Sequence, residues 1–188
     1  LEIKFKDIAS QINLLVKNEK GYKNLLYLSS LSHTSDYNPV GINALDLENH
    51  SEGLICYIGG EFNPLLMLHL QNKSSIIIKT IQYFQKIFNE DFLFEIQRIN
   101  NQKIDYFEPY FLNYANDFNI PLICSNNVKF ESKDDFNAHD ALLCIAQKST
   151  INQTNRVFSN SEIYFKTSEE MQKIFIDIPN IIENNFLI

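Results

Sequence analysis

The sequence predicts an α/β fold in which helices lie outside a mainly parallel sheet. Residues 53–58 and 121–125 are short and almost continuously apolar, which is typical of strands buried on both faces of a parallel sheet, and residues 92–99 are a further predicted strand. Amphipathic helical segments separate these runs, and strands that alternate with helices favour parallel pairing. An open sheet and a barrel both fit this order. An eight-stranded barrel needs a longer chain than 188 residues, so a barrel here would be incomplete or completed elsewhere.

Two further strands are predicted near the start of the chain. Residues 1–7 alternate Leu, Ile and Phe with Glu and Lys, which is the pattern of a half-buried strand. Residues 12–16 form a short apolar run that is followed by charged residues. The chain therefore begins with two strands before its first helix.

Helices are predicted where apolar residues recur at helical spacing. In residues 19–32, Tyr22, Leu25 and Leu28 fall near one helical face. Thr167 and Glu170 form a capping box that begins a helix running to about residue 175, because each side chain reaches a free amide of the first turn. The other predicted helices cover residues 42–50, 64–70, 75–89, 105–118 and 134–146, with Asp134 or Asp135 as a cap, and a last helix that begins at Pro179. Residues 35–41 and 148–161 are predicted to be irregular.

The composition excludes several classes of protein. A hydrophobic fraction of 45%, with 15 Phe and 9 Tyr, is too high for a disordered segment. The formal net charge of −7 and the presence of only two arginines, Arg98 and Arg156, argue against a stand-alone nucleic-acid-binding protein. No apolar run approaches the ~20 residues that a membrane-spanning helix needs, so we expect no membrane association.

The cysteines and the start of the chain favour the cytoplasm. Cys56, Cys124 and Cys144 are widely spaced in apolar surroundings, which indicates buried thiols rather than a zinc site or a redox pair. Residues 1–10 carry four charged side chains and do not resemble a signal peptide. The first residue is not Met, and both ends fall within predicted elements, so we expect the chain to be a piece of a longer protein.

Short catalytic motifs give weak signals. The four histidines, His33, His50, His69 and His139, do not occur at HxH or HExxH spacing, which a metal hydrolase would need. Gly59 and Gly60 follow a predicted strand but lack the spacing of a phosphate-binding loop. Residues 125–129 also follow a strand, at the end where α/β folds place their sites. On the residues alone, the chain is an acidic α/β domain without a recognisable active site.

Five segments in fixed order resemble the polymerase and histidinol phosphatase (PHP) domain of the alpha subunit of bacterial DNA polymerase III. The likeness covers essentially the whole chain. The segments are KNEKGYKNLLYLSSLSH (17–33), SEGLICYIGGE (51–61), FEIQR (94–98), IPLICSNNVKFESKDDFNAHDALLCI (120–145) and EIYFKTSEEMQKIFIDIPNIIENN (162–185).

The resemblance implies a fold and a place in a larger protein. In the family this domain is a distorted seven-stranded, TIM-like α/β barrel. Residues 1–188 would form a single domain that is the C-terminal, larger part of a PHP domain truncated at both ends. The first barrel strands, with the family's HxH ligands, would lie upstream of Leu1.

The resemblance also implies that the family's metal site is degenerate here. Four ligand positions of family members with an intact centre, a His, a Cys, an Asp and a His, fall on Gln11, Gly60, Asn127 and Lys129. A glycine has no donor, a lysine repels a cation, and neutral amides suit zinc or manganese poorly. We therefore expect no catalytic, cofactor-binding or metal-ligating residue in this chain, and a hydrogen-bond network of Gln11, Asn127 and Lys129 in place of the metal.

The implied function belongs to the full protein. Its polymerase would extend DNA with Mg²⁺ ions held by carboxylates outside this chain, and it would contact DNA through those other parts. This piece would be a catalytically inactive scaffold that contacts the proofreading exonuclease subunit and other replicase subunits. Two alternatives stay open: a metal-dependent PHP phosphoesterase or proofreading 3′–5′ exonuclease, and an interaction module of an unrelated α/β family.

Overall fold

The computed structural model describes residues 2–5, 8–34 and 41–188. Within these residues the chain forms seven strands and eight α-helices. The strands are β1 (Glu2–Phe5), β2 (Ile8–Gln11), β3 (Asn13–Val16), β4 (Ile42–Asn43), β5 (Leu54–Gly59), β6 (Phe92–Gln97) and β7 (Leu122–Ser125). The helices are α1 (Glu19–Thr34), α2 (Ala44–Asn49), α3 (Pro64–Leu70), α4 (Ser74–Phe88), α5 (Gln102–Asp117), α6 (Phe136–Ala146), α7 (Ser168–Ile174) and α8 (Ile181–Asn184).

The larger sheet is open and mostly parallel. Its strand order is β3-β5-β6-β7. The three strands β5, β6 and β7 pair in parallel, with Tyr57 opposite Leu93 and Ile96 opposite Cys124. β3 pairs antiparallel with β5 along one edge. The predicted α/β class and the mainly parallel sheet are therefore confirmed.

A smaller sheet holds the other three strands in the order β2-β1-β4. β1 pairs antiparallel with β2 and parallel with β4. Neither β2 nor β4 was predicted, because β2 ends in polar residues and β4 has only two residues. The predicted strand over 1–7 is confirmed at its centre, and residues 1, 6 and 7 lie outside the described residues.

Element boundaries differ from the prediction where a polar side chain caps a helix. The predicted helix over 105–118 begins earlier, because Asn101 Oδ1 accepts hydrogen bonds from the amides of Lys103 and Ile104. Ser132, rather than Asp134 or Asp135 alone, begins the turn that leads into α6, where it forms a capping box with Asp135.

Two predictions near the C-terminus have different outcomes. The capping box of Thr167 and Glu170 is confirmed, because each side chain bonds the backbone amide of the other residue. The expectation that Pro179 begins the last helix is wrong, because α8 starts after Asn180, whose backbone is left-handed at φ 61°. The predicted loop over 35–41 falls almost entirely outside the described residues.

The core lies between the larger sheet and the surrounding helices. Phe92, Phe94 and Ile96 alternate along β6 and point into it, and the rings of Phe94 and Phe111 stack with centroids 4.2 Å apart. The opposite face of the sheet holds a smaller apolar cluster of Ile55, Leu93 and Ile123. Among the described residues, no helix is both long enough and apolar enough to cross a membrane.

Asparagine side chains cover the outer edge of β7. Asn185 Oδ1 accepts from the amide of Cys124 at 3.0 Å, and its Nδ2 donates to the carbonyl of the same residue at 3.0 Å. Asn184 Nδ2 donates to the carbonyl of Leu122 at 2.9 Å. These bonds take the place of a neighbouring strand and satisfy backbone groups that would otherwise form an open sheet edge.

We expect Asn185→Ala to lower the free energy of unfolding by about 1–2 kcal/mol, because both backbone groups of Cys124 lose their partner. Urea unfolding followed by circular dichroism measures this loss. Asn155→Ala, in an exposed loop, is the control and should change stability by less than about 0.5 kcal/mol. Equal unfolding midpoints for the two variants would contradict the role given to Asn185.

Candidate functional site

A polar cavity of about 300 Å³ opens at the carboxyl ends of β5 and β6 and beside the segment that follows β7. Gln11, Gly60, Asn127 and Lys129 all line it. These four positions, selected from a resemblance and 118 residues apart at the extremes of the sequence, are thus brought together. The carboxyl ends of parallel strands are where α/β folds place their sites.

The side chain of Asn126 holds the loop after β7 against residues 162–166. Its Nδ2 donates to the carbonyls of Glu162 and Tyr164, and its Oδ1 accepts from Lys166 Nζ at 3.1 Å. The amide of Lys129 donates to the Ile163 carbonyl at 2.8 Å. The loop therefore has a defined backbone.

This fixed backbone carries Asn127 and Lys129 to the cavity. Asn127 has a left-handed conformation, φ 46°, which asparagine tolerates better than most residues. Gln11 reaches the cavity from β2, where its amide donates to the Phe62 carbonyl at 2.7 Å.

Gly60 provides backbone rather than a side chain. Its φ is 70°, a conformation that glycine adopts without strain. Its carbonyl accepts from Asn63 Nδ2 at 2.7 Å, and Asn63 Oδ1 in turn caps α3. A Cβ at this position would meet Gln97 at 3.6 Å, an ordinary contact. Conformation, rather than lack of space, is therefore what favours glycine here.

Two further residues form the floor of the cavity and were missed by the sequence reasoning. Glu95 and Gln97 are both buried, and Gln97 Nε2 donates to Glu95 Oε2 at 3.0 Å and to Ser125 Oγ at 3.3 Å. Burial raises the pKa of the Glu95 carboxyl, and the hydrogen bonds from Ser125 and Gln97 oppose this shift. The signal was present in FEIQR, because period-2 alternation puts Glu95 and Gln97 on one face of a strand at its carboxyl end.

The rim of the cavity holds an ion pair. Glu61 accepts from Lys103 Nζ at 2.6 Å and from Asn101 Nδ2 at 3.1 Å. These partners lower the pKa of the Glu61 carboxyl, and the bond from Lys103 has the largest effect. The Glu61 charge is thus already neutralised by this chain.

The donors around the cavity do not fit a transition-metal ion. They are the side-chain amides of Gln11, Asn13, Gln97, Asn101 and Asn127, the ammonium of Lys129, and the carboxyls of Glu95 and Glu61. The Glu95 carboxyl is buried, and the Glu61 carboxyl is paired with Lys103. Zinc and manganese prefer imidazole, thiolate or free carboxylate. Within residues 2–5, 8–34 and 41–188, no group of three or more His, Cys, Asp or Glu side chains is placed to hold a metal ion.

The predicted network of Gln11, Asn127 and Lys129 stays a prediction for the intact domain. The three side chains face one cavity. The hydrogen bonds between side chains that the structure describes at the cavity include those of Glu95 and Ser125 with Gln97, and those of Glu61 with Lys103 and Asn101.

The other candidate groups lie away from this cavity. The three cysteines are buried and unpaired, as predicted, and burial raises the pKa of the Cys56 thiol. The ring of His69 lies 4.6 Å from that of Tyr110, and His139 Nδ1 lies 2.6 Å from Ser159 Oγ. No histidine among the described residues lines the cavity.

We expect Glu95→Gln to stabilise the protein at pH 8 and to have little effect at pH 4. A carboxyl whose pKa is raised by folding favours the folded state below the unfolded-state pKa, and this contribution is lost as the pH rises through the folded-state pKa. The amide removes the buried charge and keeps the shape. Thermal unfolding at several pH values measures the difference.

Glu131→Gln is the matched control, since Glu131 is exposed. Its unfolding midpoint should follow that of the unsubstituted chain at every pH. A stability difference for Glu95→Gln that stays constant between pH 4 and pH 8 would contradict the assignment of a raised pKa to Glu95.

Comparison with known proteins identifies the family. Residues 1–99 match the model of the PHP domain. The chain is 35% identical over 182 residues to DNA polymerase III subunit alpha of Rickettsia bellii, which covers 94% of this chain and 15% of that protein. It is 36% identical to the same subunit of Borreliella burgdorferi, over 91% of this chain and 15% of that protein. It is 34% identical to the same subunit of Caulobacter vibrioides, over 94% of this chain and 16% of that protein.

The chain spans only about 15% of the length of these curated relatives. The region matched in them is N-terminal. The order of strands and helices, the cavity at the strand ends and these matches agree with one another. The chain belongs to the PHP domain family and matches the N-terminal region of bacterial DNA polymerase III alpha subunits.

Proposed function

We propose that this chain is the PHP-domain part of the alpha subunit of a bacterial replicative DNA polymerase. The observation that carries this proposal is the identity of about 35% over 94% of the chain to a DNA polymerase III alpha subunit. The full protein carries out template-directed DNA synthesis in the cytoplasm. The carboxylates that hold its Mg²⁺ ions, and its DNA-binding surfaces, lie outside these 188 residues.

The four-stranded sheet is the larger part of a distorted seven-stranded barrel. Its inward face holds Leu93, Glu95 and Gln97, and the cavity lies where the barrel interior opens. Residues 1–188 form a single domain, and further strands of the same domain complete the wall of the cavity.

The domain is a scaffold rather than a hydrolase. The positions that carry metal ligands in intact family members are Gln11, Gly60, Asn127 and Lys129, and all four line the cavity. In the absence of a cation, an ammonium and two amides leave no cluster of negative charge to repel itself inside the barrel. The domain contacts the proofreading exonuclease subunit and other replicase subunits.

The test uses the full-length subunit. With Mg²⁺, the purified protein should extend a primed template. After incubation with Zn²⁺ or Mn²⁺ and desalting, elemental analysis should find no ion that depends on Gln11, Asn127 or Lys129. Added Mn²⁺ should produce no phosphoesterase or 3′–5′ exonuclease activity.

Asn127→Ala is the control substitution for this experiment, because it removes one cavity amide while Lys129 remains. An ion that is retained by the unsubstituted protein and lost in Asn127→Ala would overturn the scaffold assignment and favour the phosphoesterase. Failure of primer extension by the unsubstituted protein would instead overturn the polymerase assignment.

A further inference from the structure

α6 and the loop that follows it (residues 136–159, the α6 unit) are built around a buried ion pair. Asp140 accepts two hydrogen bonds from the guanidinium of Arg156, at 2.8 and 2.7 Å, and one from the amide of Ser159 at 2.9 Å. The Arg156 side chain is only 4% exposed. The centre of the unit is therefore polar.

Further polar contacts fix the shape of the loop. Gln147 Oε1 accepts from the amide of Val157 at 2.9 Å, and Gln147 Nε2 donates to the carbonyl of the same residue at 3.2 Å. Arg156 also donates to the carbonyls of Ile151 and Val157. These bonds join the loop to Gln147, the residue that ends α6, and to itself, so the backbone of the loop has a defined shape.

The apolar side chains of the unit face outward. Five of them are more than half exposed: Leu142 and Ile145 on α6, and Ile151, Val157 and Phe158 on the loop. Leu142 and Ile145 follow Asp140 by two and five residues, and at about 3.6 residues per turn both positions lie on the side of α6 away from Asp140. The unit thus exposes apolar side chains on both its helix and its loop.

This arrangement is the reverse of what water favours. Single exposed apolar residues are ordinary, but here five occur within 17 residues on a loop and helix whose ion pair, Asp140 with Arg156, is turned inward. Lys148 is the one charged residue of the unit outside the Asp140–Arg156 pair. Depletion of charge is characteristic of the centre of a permanent interface, whereas transient interfaces are about as polar as the rest of a surface.

We propose that the α6 unit is covered by a later part of its own polypeptide. This inference rests on the proposed function, since it requires that residues follow position 188. The relatives are more than six times as long as the matched region, which makes up 15% of them and is N-terminal. A segment of the same chain is always present, so the apolar side chains would be covered in every copy of the protein, as a charge-depleted surface requires.

The test compares two substitutions in the full-length subunit, Ile145→Lys on the helix and Val157→Lys on the loop. Val157 bonds Gln147 only through its backbone, so the loop attachments persist in its variant. Burying a lysine at an interface is costly, so we expect a fall of about 5 °C in the thermal unfolding midpoint. Limited proteolysis within residues 136–159 should become about tenfold faster.

Gln82→Lys is the control. It adds the same charge at an exposed position of α4, outside the α6 unit, without removing an apolar side chain. Its midpoint and cleavage rate should equal those of the unsubstituted subunit. If Ile145→Lys and Val157→Lys behave like Gln82→Lys, the proposal is overturned.

Two further measurements distinguish a cover provided by the same polypeptide from one provided by a second molecule. Substitutions that leave the midpoint and cleavage unchanged but abolish co-elution with the exonuclease subunit, or convert a dimer to a monomer, also overturn the proposal, because they assign the surface to a second molecule. Primer extension by the unsubstituted subunit tests the polymerase assignment separately. A full-length protein that extends DNA but does not cover the α6 unit refutes this inference alone.

Discussion

Phe94→Ala should lower the free energy of unfolding by about 3–5 kcal/mol, which is the loss expected for truncating a fully buried phenylalanine. Phe94 lies in the central strand β6 and is 0% exposed. Its ring stacks on Phe111 of α5 at 4.2 Å and meets Phe92 edge-on at 5.5 Å. The substitution therefore removes a packed ring and leaves a cavity where the sheet meets α5.

Equilibrium unfolding in urea measures this loss. Phe165→Ala is the matched control, because the same ring is removed from a side chain that is 69% exposed. Its effect should stay within about 0.5 kcal/mol. Glu95 and Gln97, on the other face of the same strand, form the floor of the polar cavity. Phe94→Ala should therefore also loosen the packing that holds these two residues in place.

The pattern of the sequence predicts the central strands and most helices because their signals are local. β5 and β7 are short, mostly apolar runs, and β6 begins with three apolar residues before Glu95 and Gln97. α3 agrees with its prediction at both ends, where Pro64 follows the capping residue Asn63. β4 was not predicted, since a strand of two residues depends on its pairing with β1. A pairing between distant segments leaves no periodicity within either one.

The candidate site was only partly predictable from the sequence. The resemblance selected Gln11, Gly60, Asn127 and Lys129, and the structure places all four at one cavity. Glu95 was not among the site residues that the sequence predicted. Glu95 contributes to the site because it is buried and accepts a hydrogen bond from Gln97. The packing of whole helices and strands decides whether one polar residue is buried, so a local sequence pattern does not reveal it.

For α6, the sequence predicts the helix but not which of its side chains are buried. Hydrophobicity in residues 136–146 predicts a helix correctly, but it also suggests that the helix is buried on its apolar side. The structure buries Asp140 and Cys144 instead. The apolar pattern predicts a buried face, and only the structure shows that the described residues leave Leu142 and Ile145 exposed.

We expect Gly21→Ala to lower the free energy of unfolding by about 3 kcal/mol or more. A Cβ on Gly21 would lie 1.8 Å from the carbonyl oxygen of Gly53 and 2.4 Å from its carbonyl carbon. Because both groups in this clash belong to the backbone, a side-chain rotation cannot relieve it. Gly53 itself has φ 75° and leads into β5. The substitution would therefore push α1 away from the strand whose far end forms the cavity.

Lys20→Ala, one position earlier on the exposed side of α1, is the control and should be nearly neutral or slightly stabilising, since alanine has the higher helix propensity. Gly60→Ala separates steric from conformational cost. Its Cβ would have an ordinary 3.6 Å contact but would require a left-handed backbone at φ 70°, which costs about 1–2 kcal/mol. Thermal unfolding should thus rank the three variants with Gly21→Ala lowest. A Gly21→Ala variant as stable as Gly60→Ala would show that α1 does not approach β5 as closely as the structure indicates.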